Sequence, residues 1–259
     1  MESIMSCSKH TGRIIEIVGP PGVGKSTIYN QLCNSWTADL NWIYQDELLA
    51  SKPPVVLNFK KWLEDKARSY FGRKRAKSIP TDYGMRFIEH HQELANLCWS
   101  HFSDLREVES IHNCYRSTYH LFNDFCRYQA IVESAKIKPC IIEEGLLQKS
   151  FLVRSYKSSF SSFIDNYLDL LPLSHTIIYI NTSDISTIVD RLTIRNKVIA
   201  SHIGKDNRAL SEDIFNWQQT FSKIIPVLES RNINIIEIDA QYTPQVNVKL
   251  IKQALSNLQ

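Results

Sequence analysis

The stretch EIVGPPGVGKSTIYN, Glu16 to Asn30, joins an apolar strand to a helix through a glycine turn. RIIEIVG reads as the strand, starting near Arg13, and STIYNQLCNSW continues as a helix with Ile28 and Leu32 spaced to face a sheet. Between them, Gly19-Pro20-Pro21-Gly22-Val23-Gly24-Lys25-Ser26 matches the whole G-x-x-x-x-G-K-[ST] pattern. Glycines let consecutive backbone N–H groups converge on phosphate oxygens, and the helix N-terminus adds a favourable field for the same anion. A lysine at this position reaches terminal phosphates, and the serine hydroxyl suits magnesium. The candidate nucleotide-holding residues are therefore Gly19, Gly22, Val23, Gly24, Lys25, Ser26 and Thr27, with ATP and Mg2+ as the expected ligands.

Working outward, four more strands follow. Asn41 to Gln45 in NWIYQDELL read as the second, with Asp46 and Glu47 just beyond it. A carboxylate there lies at the carboxyl edge of the sheet, where ligands bind in doubly wound folds. Asp46 or Glu47 can orient an acceptor hydroxyl or take its proton; helix capping is the alternative use of that pair. KPCIIEEG supplies a third, buried strand that ends in Glu143 and Glu144. Glu143 is assigned to the metal, with Ser26. Glu144 is assigned to the acceptor side, since alternation along a strand turns neighbours opposite ways. SHTIIYIN (around His175 to Asn181) and INIIEID (around Ile233 to Asp239) are the fourth and fifth strands. The expected fold class is α/β: a five-stranded, mainly parallel sheet with helices on both faces and right-handed crossovers.

Residues 50–137 lack strong strand patterning. HHQELANLCWSHFSDLREVESI and STYHLFNDFCRYQAIVESAK read as amphipathic helices, which makes this region a helical acceptor-side insertion in one domain spanning 1–259. Pro80, Gly84 and the basic run before them mark a loop. The run from Lys60 to Lys77 carries Trp62, Tyr70 and Phe71 among its charges. It suits a solvated helix face, or else a phosphorylated ligand or nucleic acid strand. Arg86 and Arg116 are candidate acceptor contacts, and Tyr83, Trp99 or Tyr115 can stack a base. DRLTIRNKVIASHIGKDNRALSED places Arg191 and Arg195 on one helix face, with Lys197, Lys205 and Arg208 in a flexible segment beyond. Such a basic segment, 191–211, can close as a lid over transferring phosphates.

Bulk properties narrow the classes further. The chain has 259 residues, 43% hydrophobic and 22% charged, with a formal charge of +3, so a surface built wholly for nucleic acid is not indicated. Cys7, Cys33, Cys98, Cys114, Cys126 and Cys140 form no Cys-x-x-Cys pair and read as reduced, mostly buried thiols in a cytoplasmic chain. MESIMSCSKHTG lacks the apolar core of a signal peptide, and no run has the length and apolarity of a membrane span.

The order of these parts resembles the P-loop nucleoside and nucleotide kinase superfamily, thymidylate kinase-like and deoxynucleoside kinase-like enzymes included. GPPGVGKST stands as its phosphate loop, QDE as the acceptor-side carboxylate segment and IIEEG as the strand-end acidic motif; DRLTIR stands as the start of its lid and IIEIDA as its last strand. The resemblance implies ATP-dependent phosphoryl transfer to a small hydroxyl- or phosphate-bearing acceptor, a nucleoside or nucleotide first. It implies lid arginines at Arg191 and Arg195, and Asp239, Ala240 and Gln241 near the adenine. EEGLLQKS departs from the Asp-Arg-Tyr and Glu-Arg-Ser of familiar members, with Glu144 where those carry arginine. Two other readings stay open: a switch-type NTPase that hydrolyses ATP or GTP, and a polynucleotide 5′-kinase. The N-K-x-D segment of a guanine-specific GTPase is missing; Asn181-Thr182-Ser183-Asp184 is a poor substitute. A homodimer is compatible with all of these.

Overall fold

The computed structural model describes residues 11–49, 63, 79–105, 111–153, 160–194 and 205–257. Its centre is β1 (Thr11–Val18), which runs between β3 (Cys140–Ile142) and β4 (Ser174–Asn181). β2 (Ile43–Tyr44) and β5 (Asn234–Asp239) complete the order β2-β3-β1-β4-β5, and all four pairings are parallel. The chain leaves β1 towards one edge of the sheet and later crosses back to the other. The carboxyl end of β1 is therefore beside the switch point, the place where open α/β sheets bind their ligands.

Alternation along β1 sends Ile15 and Ile17 to one face and Ile14 and Val18 to the other. The first face is covered by α1 (Lys25–Asn34), α7 (Ile185–Thr193) and α9 (Pro244–Ser256). The second is covered by α3 (Asp82–His90), α4 (Gln92–Leu105), α5 (Ile111–Ser134) and α6 (Phe160–Leu170). The long α8 (Asn207–Ser230) serves both: Leu210 and Ile214 join the first core, Trp217, Phe221 and Ile224 the second. The expected α/β sheet with helices on both faces is the observed one.

Three local expectations change. The second strand is two residues long rather than five. Among the described residues it pairs with β3 alone, and the short helix α2 (Gln45–Leu48) takes over at once. Gly84 does not mark a loop: it is buried within α3, where an added Cβ would come within 2.6 Å of Cys126 Sγ and 2.7 Å of Phe122 Cζ. Close approach of α3 to α5 is its physical reason, and Phe87 stacks on Phe125 beside it at 4.3 Å between ring centroids. Arg208 lies in the first turn of α8, capped by Asp206, and not in a loose segment. The Lys60–Lys77 run lies outside the described residues but for Leu63, which is exposed. The five described cysteines are all buried as free thiols, and among the described residues no helix is long and apolar enough to cross a membrane.

Candidate active site

The glycine turn after β1 holds its shape by backbone conformation. Gly22 has φ +82° and Gly24 φ +106°, both in the left-handed region that side chains resist. Gly22 also lies so close to α7 that a Cβ would come within 2.7 Å of Leu192. Gly24 is the N-cap of α1 with no side-chain cap, and a helix N-terminus is a favourable place for an anion. Val23 is buried under the turn, while Ser26 and Thr27 are exposed in the first turn of α1. Lys25 is buried, and its ammonium donates to the carbonyls of Gly19 at 2.9 Å and Pro20 at 3.0 Å. The cation is thus held across the turn, with Glu144 among the carboxylates that feel it.

Just beyond β3, the two acidic neighbours turn to opposite sides, although both lie in the bend after the strand rather than in the strand itself. Glu143 accepts a hydrogen bond from the Ser26 hydroxyl across the end of the sheet. A hydroxyl and a carboxylate in contact at the mouth of the turn are hard oxygen donors of the kind Mg2+ takes. Glu144 turns to the other side, where Lys149 binds its carboxylate at 2.8 Å. Lys149 also faces Asp124 at 3.9 Å, and Arg127 binds Asp124 at 2.6 Å while donating to the Glu144 main-chain carbonyl. Burial pushes the Asp124 carboxyl up, against Arg127 and Lys149, which pull it down. Burial would also raise Glu144, but Lys149, Lys25 and Arg127 outweigh it and hold this carboxyl below its ordinary range. Arg127 thereby brings a guanidinium to the strand end from α5, although the residue at 144 is acidic.

On the opposite rim, Arg191 in the last turn of α7 donates to the Val23 carbonyl and to the Ala240 carbonyl, both at 3.4 Å. It joins the glycine turn to the segment after β5. That segment is fixed locally: Asp239 accepts the Gln241 N–H at 2.9 Å, and Ala240 N–H donates to Asn181 at 2.8 Å. Asn247, buried in α9, donates to the Asp239 carbonyl at 3.0 Å. Asp184 proves to be the N-cap of α7, accepting Thr187 N–H; the Ser186 hydroxyl, the Thr187 hydroxyl and the Thr187 N–H hold its carboxyl down at about 2.

Asp46 and Glu47 sit exposed in the first turn of α2, whose N-cap, Tyr44, makes no side-chain cap. Asp46 is near enough to Tyr29 on α1 to help raise that phenol, behind burial and Cys33. The candidate acceptor arginines are not brought together. Arg86 is bound by Glu133 through two contacts, 2.8 and 3.1 Å, and lies over the Tyr83 ring at 4.4 Å. Arg116 is exposed near the other end of α5, roughly 25 Å away at the rise of an α-helix. Trp99 packs on Phe102 and Phe125, and Tyr115 is 57% exposed. Arg195 and Lys197 lie outside the described residues. Of the other cations expected in a lid, Lys205 pairs with Asp213 and Arg208 with Glu212.

Sequence reasoning passed over Asp124, Arg127, Lys149 and Asn247. For the first pair a signal exists: opposite charges three apart on a helix face otherwise made of Leu121, Phe125 and Tyr128.

No protein-family model matches the chain, and no curated protein matches it. Among solved structures it is similar to deoxyadenosine kinase from M. mycoides with products dCMP and a flexible dCDP bound. The identity is 14% and the TM-score 0.45, over 95% of this chain and 100% of that chain. It is also similar to the M. mycoides deoxyadenosine kinase with bound dATP, at 13% identity and TM-score 0.45, over 94% of this chain and 99% of that one.

Proposed function

We propose that the chain is an ATP-dependent phosphotransferase that moves the γ-phosphoryl group to a small hydroxyl- or phosphate-bearing acceptor, a nucleoside or nucleotide first. The observation that carries this reading is the contact between Ser26 and Glu143 at the mouth of a glycine turn whose lysine is buried across it. A hydroxyl from the loop helix and a carboxylate from the next strand are the pair that phosphoryl transfer needs beside the phosphates.

Backbone N–H groups of the turn and of the first turn of α1 bind the phosphates, and Lys25 leaves the Gly19 and Pro20 carbonyls for the terminal ones. Ser26 and Glu143 are the residues that would hold Mg2+, which would supply charge neutralisation for the donor phosphates. Asp46, or failing it Glu47, orients the acceptor hydroxyl and takes its proton. Glu144 sets the acceptor side through Lys149 and Asp124. Arg191 holds the glycine turn against Ala240, and Asp239, Ala240 and Gln241 line the base. Arg191 and Arg195 belong to a lid over residues 191–211, while Arg86 stays with Glu133, so that Arg86 and Arg116 form no clamp on the acceptor.

The test is a transfer assay with labelled ATP and Mg2+ against nucleosides, nucleoside monophosphates, sugars and short oligonucleotides. Phosphorylated nucleoside or nucleotide is the expected product. Free phosphate alone, with no acceptor labelled, would overturn the reading.

A further inference from the structure

Glu16 is out of place in β1. Its neighbours on the same face, Ile14 and Val18, are core residues with no exposure, and Glu16 itself is 2% exposed. Carboxylates are rarely buried this fully without partners, and the partners are specific. The carboxylate accepts the Gln148 N–H at 2.7 Å, the Leu147 N–H at 3.3 Å and the Ser174 hydroxyl at 3.5 Å. Gly145 packs so tightly on it that a Cβ there would come within 2.5 Å of the carboxylate. Glu16 therefore lies beneath the turn that follows Glu143 and Glu144.

From that same turn a second contact goes back. The Gln148 side-chain carbonyl accepts the N–H of Gly19, the first residue of the glycine turn, at 2.9 Å, and Gln148 is 2% exposed. The path closes on itself: β1 through Glu16 to the turn after β3, and from that turn through Gln148 to the start of the loop that follows β1. It spans the two segments that carry Ser26 and Glu143.

We propose that Glu16 and Gln148 are positioning residues that set the spacing between the glycine turn and the strand-end carboxylates, and so tune Mg2+·ATP binding. The proposal rests on the reading of the glycine turn as the nucleotide site. Neither residue touches nucleotide; each acts through Gly19 and Glu143. The ionised carboxylate accepts several N–H groups at once, and a protonated one gives up part of that capacity, so the turn is held best by the charged form. Burial pushes the Glu16 carboxyl up to about 7, against the backbone N–H groups of Gln148 and Leu147, Arg127 and the Gly145 N–H. The groups facing it are Arg127 from α5, Ser174 from β4 and Tyr167 from α6, whose hydroxyl donates to the Leu146 carbonyl at 2.8 Å. Arg127 is the charged one among them. The tether is thus weakened by protonation in the neutral range.

The experiment is calorimetric titration of the full chain with Mg2+·ATP between pH 6 and 9, for the wild type, Glu16→Gln, Gln148→Leu and the double variant, with helicity and Tm followed alongside. Each single variant is expected to weaken binding about tenfold, and the double variant no more than either single one, because both cut one path. Wild-type affinity is expected to rise with pH through about 7. That rise disappears in Glu16→Gln. It also disappears in Gln148→Leu, where Glu16 still titrates but no longer reaches Gly19. A purely structural role would lower Tm and leave both affinity and its pH profile unchanged, and that result overturns the proposal. Should Glu16→Gln fail to fold, Gln148→Leu decides by the same readouts. Nucleotide binding equal in the wild type and the variants sinks the tether alone; no nucleotide binding by the wild type sinks the functional reading and the tether with it.

Discussion

Glu143 and Glu144 leave the same strand end into two regions that treat charge differently. On the loop side, Glu143 meets the hydroxyl of an exposed Ser26, and the pair can exchange partners at little cost to the fold. On the lobe side, Glu144 enters a cluster with Lys149, Arg127 and Asp124 that is largely withdrawn from water. Charges taken out of water are held there only by one another, and removing one strands the rest. One region is therefore suited to bind something charged, and the other to keep a helical lobe in register with the strand end.

That contrast is tested most severely at Lys25. Lys25→Ala is expected to lower transfer by about 10³-fold, since a cation at the transferring group stabilises charge that builds up only in the transition state. Calorimetry should show weaker Mg2+·ATP binding, with helicity kept. Unchanged affinity would break the assignment of the loop side as the binding side.

The second test is pH, and it probes the buried carboxyl between the two regions. Glu16 titrates at about 7 in the fold against an ordinary 4.5, so the folded chain binds this proton more tightly than the unfolded one. Its contribution to stability is fully present below 4.5 and is lost as pH rises through 7, by about 3 kcal/mol in all. Urea unfolding at pH 5 and pH 8 should show this loss in the wild type. Glu16→Gln should lack that slope, and an equal slope in both would show that other groups set it.

Smaller effects separate the two carboxylates themselves. Glu143→Gln is expected to cost about 10²-fold in transfer, with the loss partly recovered at high Mg2+, and to leave stability almost unchanged. Asp124→Ala, in the opposed cluster, is expected to do the reverse: about 2 kcal/mol lost in urea unfolding and Mg2+·ATP affinity retained. If Asp124→Ala abolished metal-dependent binding while Glu143→Gln did not, the division of the strand end would have to be inverted.

The same contrast explains what could be read from residues alone. The glycine turn is legible because everything that defines it lies within eight consecutive positions, strand before and helix after. The position of Glu143 beside the glycine turn is legible for a related reason: a carboxylate directly after a buried apolar strand has few other places to be. Glu16 is a charge inside RIIEIV, which is a conflict visible in the sequence, but its meaning depends on Gln148, 132 positions further along. Arg191 likewise meets Val23 across 168 positions. The pairing of Asp124 with Lys149 needs the register of α5 against the strand end, which no local pattern contains. Gly84 misled because glycine in a helix usually weakens it; here the missing Cβ is what lets α3 and α5 touch.

The smallest expected effect belongs to Arg86, and it decides whether the lobe contributes a charge to the acceptor at all. Arg86 is already satisfied: Glu133 takes its guanidinium twice, Tyr83 lies beneath it, and both members of the ion pair are well exposed, at 39% and 37%. Exposed pairs of this kind contribute little to stability, because water screens them and two long side chains must be ordered. Hydrogen bonding to Glu133 raises the Arg86 guanidinium and lowers the Glu133 carboxyl, so each is fully charged at neutral pH. An acceptor phosphate would have to compete with Glu133 for the same donors. Arg86→Met keeps the side chain's apolar stem over Tyr83 while removing the charge. It is expected to leave Tm nearly unchanged and to shift the acceptor KM by less than about twofold, with kcat unaffected. A rise in acceptor KM of about tenfold, seen with a monophosphate acceptor and not with the corresponding nucleoside, would show that Arg86 leaves Glu133 for substrate. The lobe would then be a binding region like the loop side, and the contrast between the two would fail.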